Sequence, residues 1–249
     1  MLKIPTADGD NPFALKRIIA LRRLFCAGRW WERQLPVKHP GSPIVDMLNI
    51  GFLAAPSGES LETFGLKPLP LALETAGVRF YQHPHALPRF FLVRRLQVTE
   101  SADESFAYLG RPDFNPSEEA VVEANNLHLN QPLHGGEVRV ERYEANRVEL
   151  RAIASGPAFL ASSEVLYPGW RATINGKRTR LYMTNGAFRG IFLNQGVNRI
   201  VLTYWCEYLT GGILISALSA LLIVASLVLH GAPRANSSTE RFYAASRHA

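Results

Sequence analysis

Tyr167, Trp170, Arg171, Tyr182 and Arg189 bring aromatic faces and guanidinium forks into one short stretch of a 249-residue chain. Aromatic rings stack on the apolar faces of sugars, and a guanidinium group grips phosphate in bidentate fashion, so this set is a candidate contact for a glycan or a phosphate. The same residues alternate along apparent strands, and core packing combined with surface arginine is the default reading of such a pattern. Residue types alone do not choose between the two.

Other residues of chemical interest are sparser. His83 and His85 stand two apart in a loop flanked by Pro84 and Pro88, with no carboxylate or cysteine nearby at metal-ligand spacing. They are expected to be structural, and no metal or cofactor is expected. Asp46 lies inside an apolar stretch, where an unpaired carboxylate would be costly to bury, and a place near a helix N-terminus would satisfy it. No GxSxG, P-loop, GxGxxG or HExxH pattern occurs, which argues against a nucleophilic hydrolase or a nucleotide enzyme. No catalytic residue is assigned. The two cysteines, Cys26 and Cys206, fit a disulfide or two separate thiols.

The elements that must position these residues are mostly strands. Val138 to Glu144 and Arg147 to Ser155 alternate around a turn at Glu144-Ala145-Asn146, and Ala158 to Leu166 follows. Trp170 to Ile174 is expected to pair with Arg178 to Tyr182 across Asn175-Gly176, whose two residues tolerate the positive φ of a type I′ turn. Its returning strand would place Leu181 and Met183 beside Trp170, Ala172 and Ile174. Phe188 to Leu193 and Asn198 to Tyr204 read as a last hairpin. Upstream, Ser42-Pro43 opens a short helical turn, a strand covers Asn49 to Ala54, and further strands cover Val78 to Tyr81 and Arg89 to Gln97. Between residues 99 and 129 one or two short helices are expected, including Ser117 to Asn125 behind a serine cap. The fold class is α+β and mainly β: an antiparallel β-sandwich or jelly-roll-like domain with a few short helices and one C-terminal transmembrane helix.

That helix is the clearest element. Leu209 to Leu229 gives 21 residues without a charge, and at ~1.5 Å per residue this spans the ~30 Å hydrocarbon core of a bilayer. Tyr204, Trp205 and Tyr208 precede it, where amphipathic rings suit the headgroup level. The tail carries Arg234, Arg241 and Arg247, which predicts a cytoplasmic tail and an extracytoplasmic main domain. Residues 1–30 contain no apolar stretch of signal-peptide type to export that domain. Phe13 to Phe25 is amphipathic and is expected to pack on its own domain rather than on a membrane, with Trp30 and Trp31 continuing it. The expected organisation is an amphipathic segment at 1–35, an α+β region at 36–134, a β-sandwich meander at 135–205, the membrane helix at 206–230 and a basic tail at 231–249.

Formal charge is +6, with 19% charged and 47% hydrophobic residues, so the chain can bury a core and suits an anionic partner. Its arginines are spread out and locally matched by glutamate, as between Glu137 and Arg151, which argues against a nucleic-acid partner.

Several motifs occur in order: Tyr167-Pro168-Gly169-Trp170-Arg171-Ala172, Asn175-Gly176-Lys177, Asn185-Gly186-Ala187-Phe188-Arg189-Gly190, and Gly196-Val197-Asn198-Arg199 before an aromatic strand and a membrane helix. With Asp46-Met47-Leu48-Asn49-Ile50 and Tyr81 to Arg89 upstream, they resemble the C-terminal part of YfhO-like bacterial membrane proteins. The resemblance runs from about Asn11 to the last helix. It implies a polytopic membrane protein related to C-type glycosyltransferases, which use polyprenyl-phosphate sugars outside the membrane, with an extracytoplasmic domain near the C-terminus. The N-terminal membrane helices that would deliver this domain, and the outer loop expected to hold the catalytic acids, have no counterpart here. The chain is thus expected to be a non-catalytic accessory domain and anchor of a cell-envelope glycosylation protein, in the bacterial cytoplasmic membrane. Its partners would be the membrane, a lipid-linked sugar or glycan, and the polytopic part or another membrane protein. The alternatives are a structural module packed on partner helices without sugar contact, and an inactive gene fragment.

Overall fold

In this computed structural model, which describes residues 15–27, 37–58, 70–127, 129 and 131–230, β-branched and aromatic residues at two-residue spacing form strands that assemble into three sheets. The chain divides into two units, Met1–Trp205 and Cys206–Ala249.

Helix α1 (Lys16–Arg22) leads the first unit, burying Leu21 while Arg17 reaches out to Glu123 in a bidentate pair of 2.6 and 2.8 Å. Helix α2 (Pro43–Met47) starts where Ser42 Oγ accepts the Ile44 N–H and Pro43 supplies a preset φ. Strands β1 (Phe52–Pro56), β2 (Leu71–Thr75) and β3 (Val78–Gln82) then form a small antiparallel sheet in the order β1-β3-β2.

Strands β4 (Phe90–Val93) and β5 (Arg95–Thr99) follow, then helix α3 (Ala102–Leu109) and β6 (Glu119–Glu123). Ser101 caps α3 through the Glu104 N–H. β5 and β6 run parallel, as a strand–helix–strand crossover requires. A hairpin of β7 (Gly136–Glu144) and β8 (Arg147–Ala154) leads to β9 (Ala158–Ser162), β10 (Trp170–Ile174), β11 (Lys177–Thr179), β12 (Tyr182–Thr184), β13 (Phe188–Leu193) and β14 (Gly196–Tyr204). The larger sheets have the orders β11-β10-β14-β8-β7 and β4-β9-β13-β12-β6-β5. β4 and β5 lie at opposite edges of the six-stranded sheet yet are joined by Arg94 alone, so that sheet curls until its edges approach. The Glu118 carbonyl accepts the N–H groups of both Arg94 and Arg95 at the seam.

Period-two alternation divides the core into two layers. Phe90, Leu160, Ile191 and Leu193 face Val148, Leu150, Ala172, Ile200 and Leu202 of the five-stranded sheet, which makes the sandwich. Phe91, Val93, Phe159 and Ala161, one residue out of phase, face Leu21, Ile44, Val45 and Leu109 of the helices. Each fully buried aliphatic or aromatic side chain of this kind contributes about 1.5–3 kcal/mol. The mainly β, antiparallel fold read from the sequence is the fold observed, and α1 packs on its own domain as expected.

Four expectations need correction. Ser117 to Asn125 holds no helix: Ser117 bonds to Asn115 Oδ1 in a turn, and Val121 and Val122 continue as a buried strand, for which β-branched residues are suited. Arg89 to Gln97 is two strands rather than one. Phe188 to Leu193 and Asn198 to Tyr204 do not pair with each other; the turn between them carries the chain from one sheet to the other. The Asn175-Gly176 turn is observed with both φ angles positive, but its returning strand stops at Thr179, and Met183 pairs in the six-stranded sheet opposite Arg189.

The second unit contains α4 (Glu207–His230), with one stretch, Tyr208–Leu229, long and apolar enough to cross a membrane. Trp30, Trp31 and the three tail arginines lie outside the described residues.

Candidate functional site

Of the five residues singled out by type, the structure brings three together. Trp170 begins β10 with its ring toward the second sheet, and Arg189 of β13 lays its guanidinium over that ring at 3.8 Å from the centroid. Tyr204, at the end of β14, lies 5.5 Å from Trp170 and 6.5 Å from Tyr167, ring centre to ring centre. Gly169 makes this approach feasible: its φ of +103° is open to glycine, its carbonyl accepts the Trp205 N–H at 3.1 Å, and a Cβ there would collide with the Trp205 carbonyl. The Tyr-Pro-Gly-Trp motif is therefore a device for pinning the start of β10 to the end of β14.

Arg189 is only 3% exposed and needs a counter-charge. Glu164, just after β9, supplies it: Arg189 Nη2 donates to Glu164 Oε2 at 2.7 Å. Oε1 of the same carboxylate accepts from Arg89 Nη1 at 2.8 Å and from the Tyr143 hydroxyl at 2.7 Å, and Arg89 also donates to that hydroxyl at 2.6 Å. The Arg89 guanidinium sits over the Tyr143 ring, 4.9 Å from its centre. One carboxylate thus ties the six-stranded sheet, through Arg89 and Arg189, to β7 of the five-stranded sheet. Burial pulls the Arg189 pKa down against the opposing pull of Glu164. Arg89 is raised: burial opposes its charge, but Glu164 and Tyr143 outweigh that cost. The Tyr143 phenol is raised by burial and by the adjacent Glu164 carboxylate. Arg189 Nη1 has no hydrogen-bond partner and is closed off from solvent.

Two members lie elsewhere. Tyr182 packs edge-on against Phe192, 5.1 Å between ring centres, in the layer that faces the helices. Arg171 follows Trp170 on the strand and therefore points to the outer face of the five-stranded sheet. The open parts of the cluster are Tyr167 and Tyr143, 46% and 49% exposed, with Arg89 beside the latter.

Sequence reasoning missed Glu164, Arg89, Tyr143 and Tyr204. It also missed that Asp46 and His83 are partners: His83 Nε2 meets Asp46 Oδ1 at 2.5 Å, with the His83 ring buried and edge-on to His85 at 6.2 Å. Burial raises the Asp46 pKa, opposed by the hydrogen bond and charge of His83 and by His85. The contact fastens the loop before β4 onto α2, and the Asp46 carbonyl accepts the Leu87 N–H at the same place. Among the described residues no group of three or more His, Cys, Asp or Glu side chains could hold a metal ion.

The chain is a β-rich protein in which a β-sandwich region is followed by an apolar helix of membrane-spanning length. The family model described as "Bacterial membrane protein YfhO" matches residues 125–216, from just before β7 into α4, and includes the aromatic and arginine cluster apart from Arg89. Over those residues the chain is similar to that family, and the match together with the apolar helix supports a place in the membrane. No curated protein and no solved structure matches it.

Proposed function

We propose that this chain is the extracytoplasmic accessory domain and membrane anchor of a YfhO-like protein of envelope glycosylation, and that it holds a glycan or lipid-linked sugar rather than transforming it. The observation that carries this reading is the arrangement around Glu164. The Glu164 carboxylate is shared by both guanidinium groups and locks the two sheets, while Tyr167 and the Tyr143–Arg89 pair remain open at its margins. Half-exposed aromatic rings on a rigid support suit stacking on sugar rings at small entropic cost. The test is glycan-array binding by the full chain in neutral nanodiscs. Tyr167→Ala should abolish binding without lowering the melting temperature, whereas Arg89→Ala, which also cuts a bond to Glu164, should weaken binding and lower the melting temperature. Wild-type binding in both variants would remove the reading.

A second reading, a module that packs on partner helices without touching sugar, draws on the small sheet. Phe52, Ala54, Pro56, Leu73, Val78 and Phe80 share one face of β1, β2 and β3 by register, with Phe52 60% and Leu73 56% exposed. An uncharged, open apolar face of this kind suits protein contact. Retained glycan binding in Leu73→Glu together with loss of a co-purifying membrane partner would place that contact here.

A further inference from the structure

On the outer face of the five-stranded sheet, cross-strand register sets arginine against arginine. Arg139 of β7 is directly opposite Arg151 of β8, which is directly opposite Arg199 of β14. Like charges in such positions destabilise a sheet, since their Cβ atoms are ~4.5–5.5 Å apart. The next row runs Arg142, Glu149, Val201, Thr173, Arg178, and the one after it Glu144, Arg147, Thr203, Arg171. Carboxylates answer part of this charge: Glu137 bonds Arg139, Glu144 and Glu149 bond Arg142, and Glu149 bonds Arg147. The exposed guanidinium groups of Arg151, Arg199, Arg178 and Arg171 have no such partner among the described residues. A shallow cleft lined by Glu137, Arg139, Arg151 and Ile153 opens on the same face.

We infer that this face is a binding surface for an extended, phosphate-bearing polyanion. The four unanswered cations occupy four strands and three rows, and rows two residues apart are ~6.8 Å apart along the strands. A single phosphate could engage Arg151 and Arg199 only, whereas a chain of phosphates running diagonally over Val201 and Thr173 reaches Arg178 or Arg171 as well. Each guanidinium group offers its planar fork to a phosphate oxygen pair. The three rows contain no aromatic or leucine side chain of the kind that enters a lipid interface, which favours a polymer over a bilayer surface. The surface lies on the side of β10 opposite Trp170, so it stands independently of the sugar reading above.

The test uses the full chain in phosphatidylcholine nanodiscs and fluorescently labelled long-chain inorganic polyphosphate, followed by anisotropy over a range of NaCl concentrations. The double variant Arg151→Gln/Arg199→Gln should bind at least about tenfold more weakly, with a salt slope lower by about two, as expected for two lost ionic contacts. Its melting temperature should not fall. Arg171→Gln/Arg178→Gln, at other rows, should weaken binding in the same manner and guards against a fold defect in the first pair. Unchanged polyphosphate affinity in both variants overturns the proposal. So does competition by orthophosphate that equals polyphosphate per phosphorus, since that would mark a single-anion site. A third overturning result is absence of polyphosphate binding combined with burial of a fluorophore at Val201→Cys when the discs contain phosphatidylglycerol, because the face would then dock on lipid.

Discussion

Arg189 of β13 and Arg171 of β10 lie on strands of different sheets in the chain's C-terminal half, and their fates are opposite. Arg189 lies between the sheets, stacked on Trp170 and held by Glu164, with scarcely any surface left. Arg171 stands on the outer face, in a field of arginines that carboxylates only partly answer. An arginine sealed from solvent contributes to architecture, because every donor it fails to place is paid for in desolvation. One held at the surface costs little and is free to meet a ligand. The inner hub and the outer face are therefore expected to respond to mutation in opposite ways, one in stability and the other in binding.

The largest effect should come from Glu164→Ala. It removes the one carboxylate shared by Arg89, Arg189 and Tyr143, and leaving a buried cation without its partner costs about 3–5 kcal/mol. Urea unfolding of the purified protein measures this directly. A loss below 1 kcal/mol, about what a surface ion pair gives, would erase the distinction between hub and face. Trp170→Ala comes next. It removes both the ring under Arg189 and a large part of the packing against Tyr204, and about 2–3 kcal/mol is expected for a half-buried indole with a stacked cation. Trp170→Phe should recover most of that loss, since a phenyl ring keeps the stacking face.

Gly176→Val tests a third, local device. Asn175 and Gly176 both have positive φ, at 50° and 80°, and the register places Ile174 opposite Lys177 across a two-residue turn. A β-branched residue resists that backbone, so a loss of about 1 kcal/mol or more is expected. A Cβ at Gly176 would meet nothing within 4 Å, so the penalty would be one of backbone conformation alone. Thermal melts of Gly176→Val beside Gly176→Asn separate this from packing, because asparagine tolerates the left-handed region.

What the sequence made legible follows the range of the forces involved. The Asn-Gly turn, the β7–β8 hairpin and the apolar helix rest on residues a few positions apart, and each is found where the pattern puts it. Which sheet a strand joins is a long-range matter. β13 and β14 are adjacent in sequence and joined by a short turn, and nothing local distinguishes a hairpin from a crossing between sheets. The same holds at Arg94, where one apolar run serves both edges of a curled sheet. At the candidate site, residue types identified Trp170 and Arg189 but not their partnership. Glu164 was legible only as a carboxylate following the apolar run Ala158 to Ser162, and Asp46 only as a charge in need of a partner. His83, which answers it, lies 37 residues away.

The smallest stability effect is also the one that sharpens the comparison most. On the outer face, Arg151→Gln/Arg199→Gln removes two exposed guanidinium groups that face each other across the β8–β14 ladder. No carboxylate loses a partner, because the glutamates of this face are engaged by Arg139, Arg142 and Arg147. Backbone pairing is untouched, and glutamine retains most of the aliphatic stem. Relief of like-charge repulsion should offset the small loss of packing, so the net change is expected within about 0.5 kcal/mol of zero and, at low ionic strength, on the stabilising side. Melts at low and high NaCl check both parts: any gain should shrink as salt screens the repulsion over a Debye length of ~10 Å at 0.1 M. If the double variant instead melts as far below the wild type as Glu164→Ala does, these arginines are structural supports like Arg189, and the contrast between the two faces of the sheet fails.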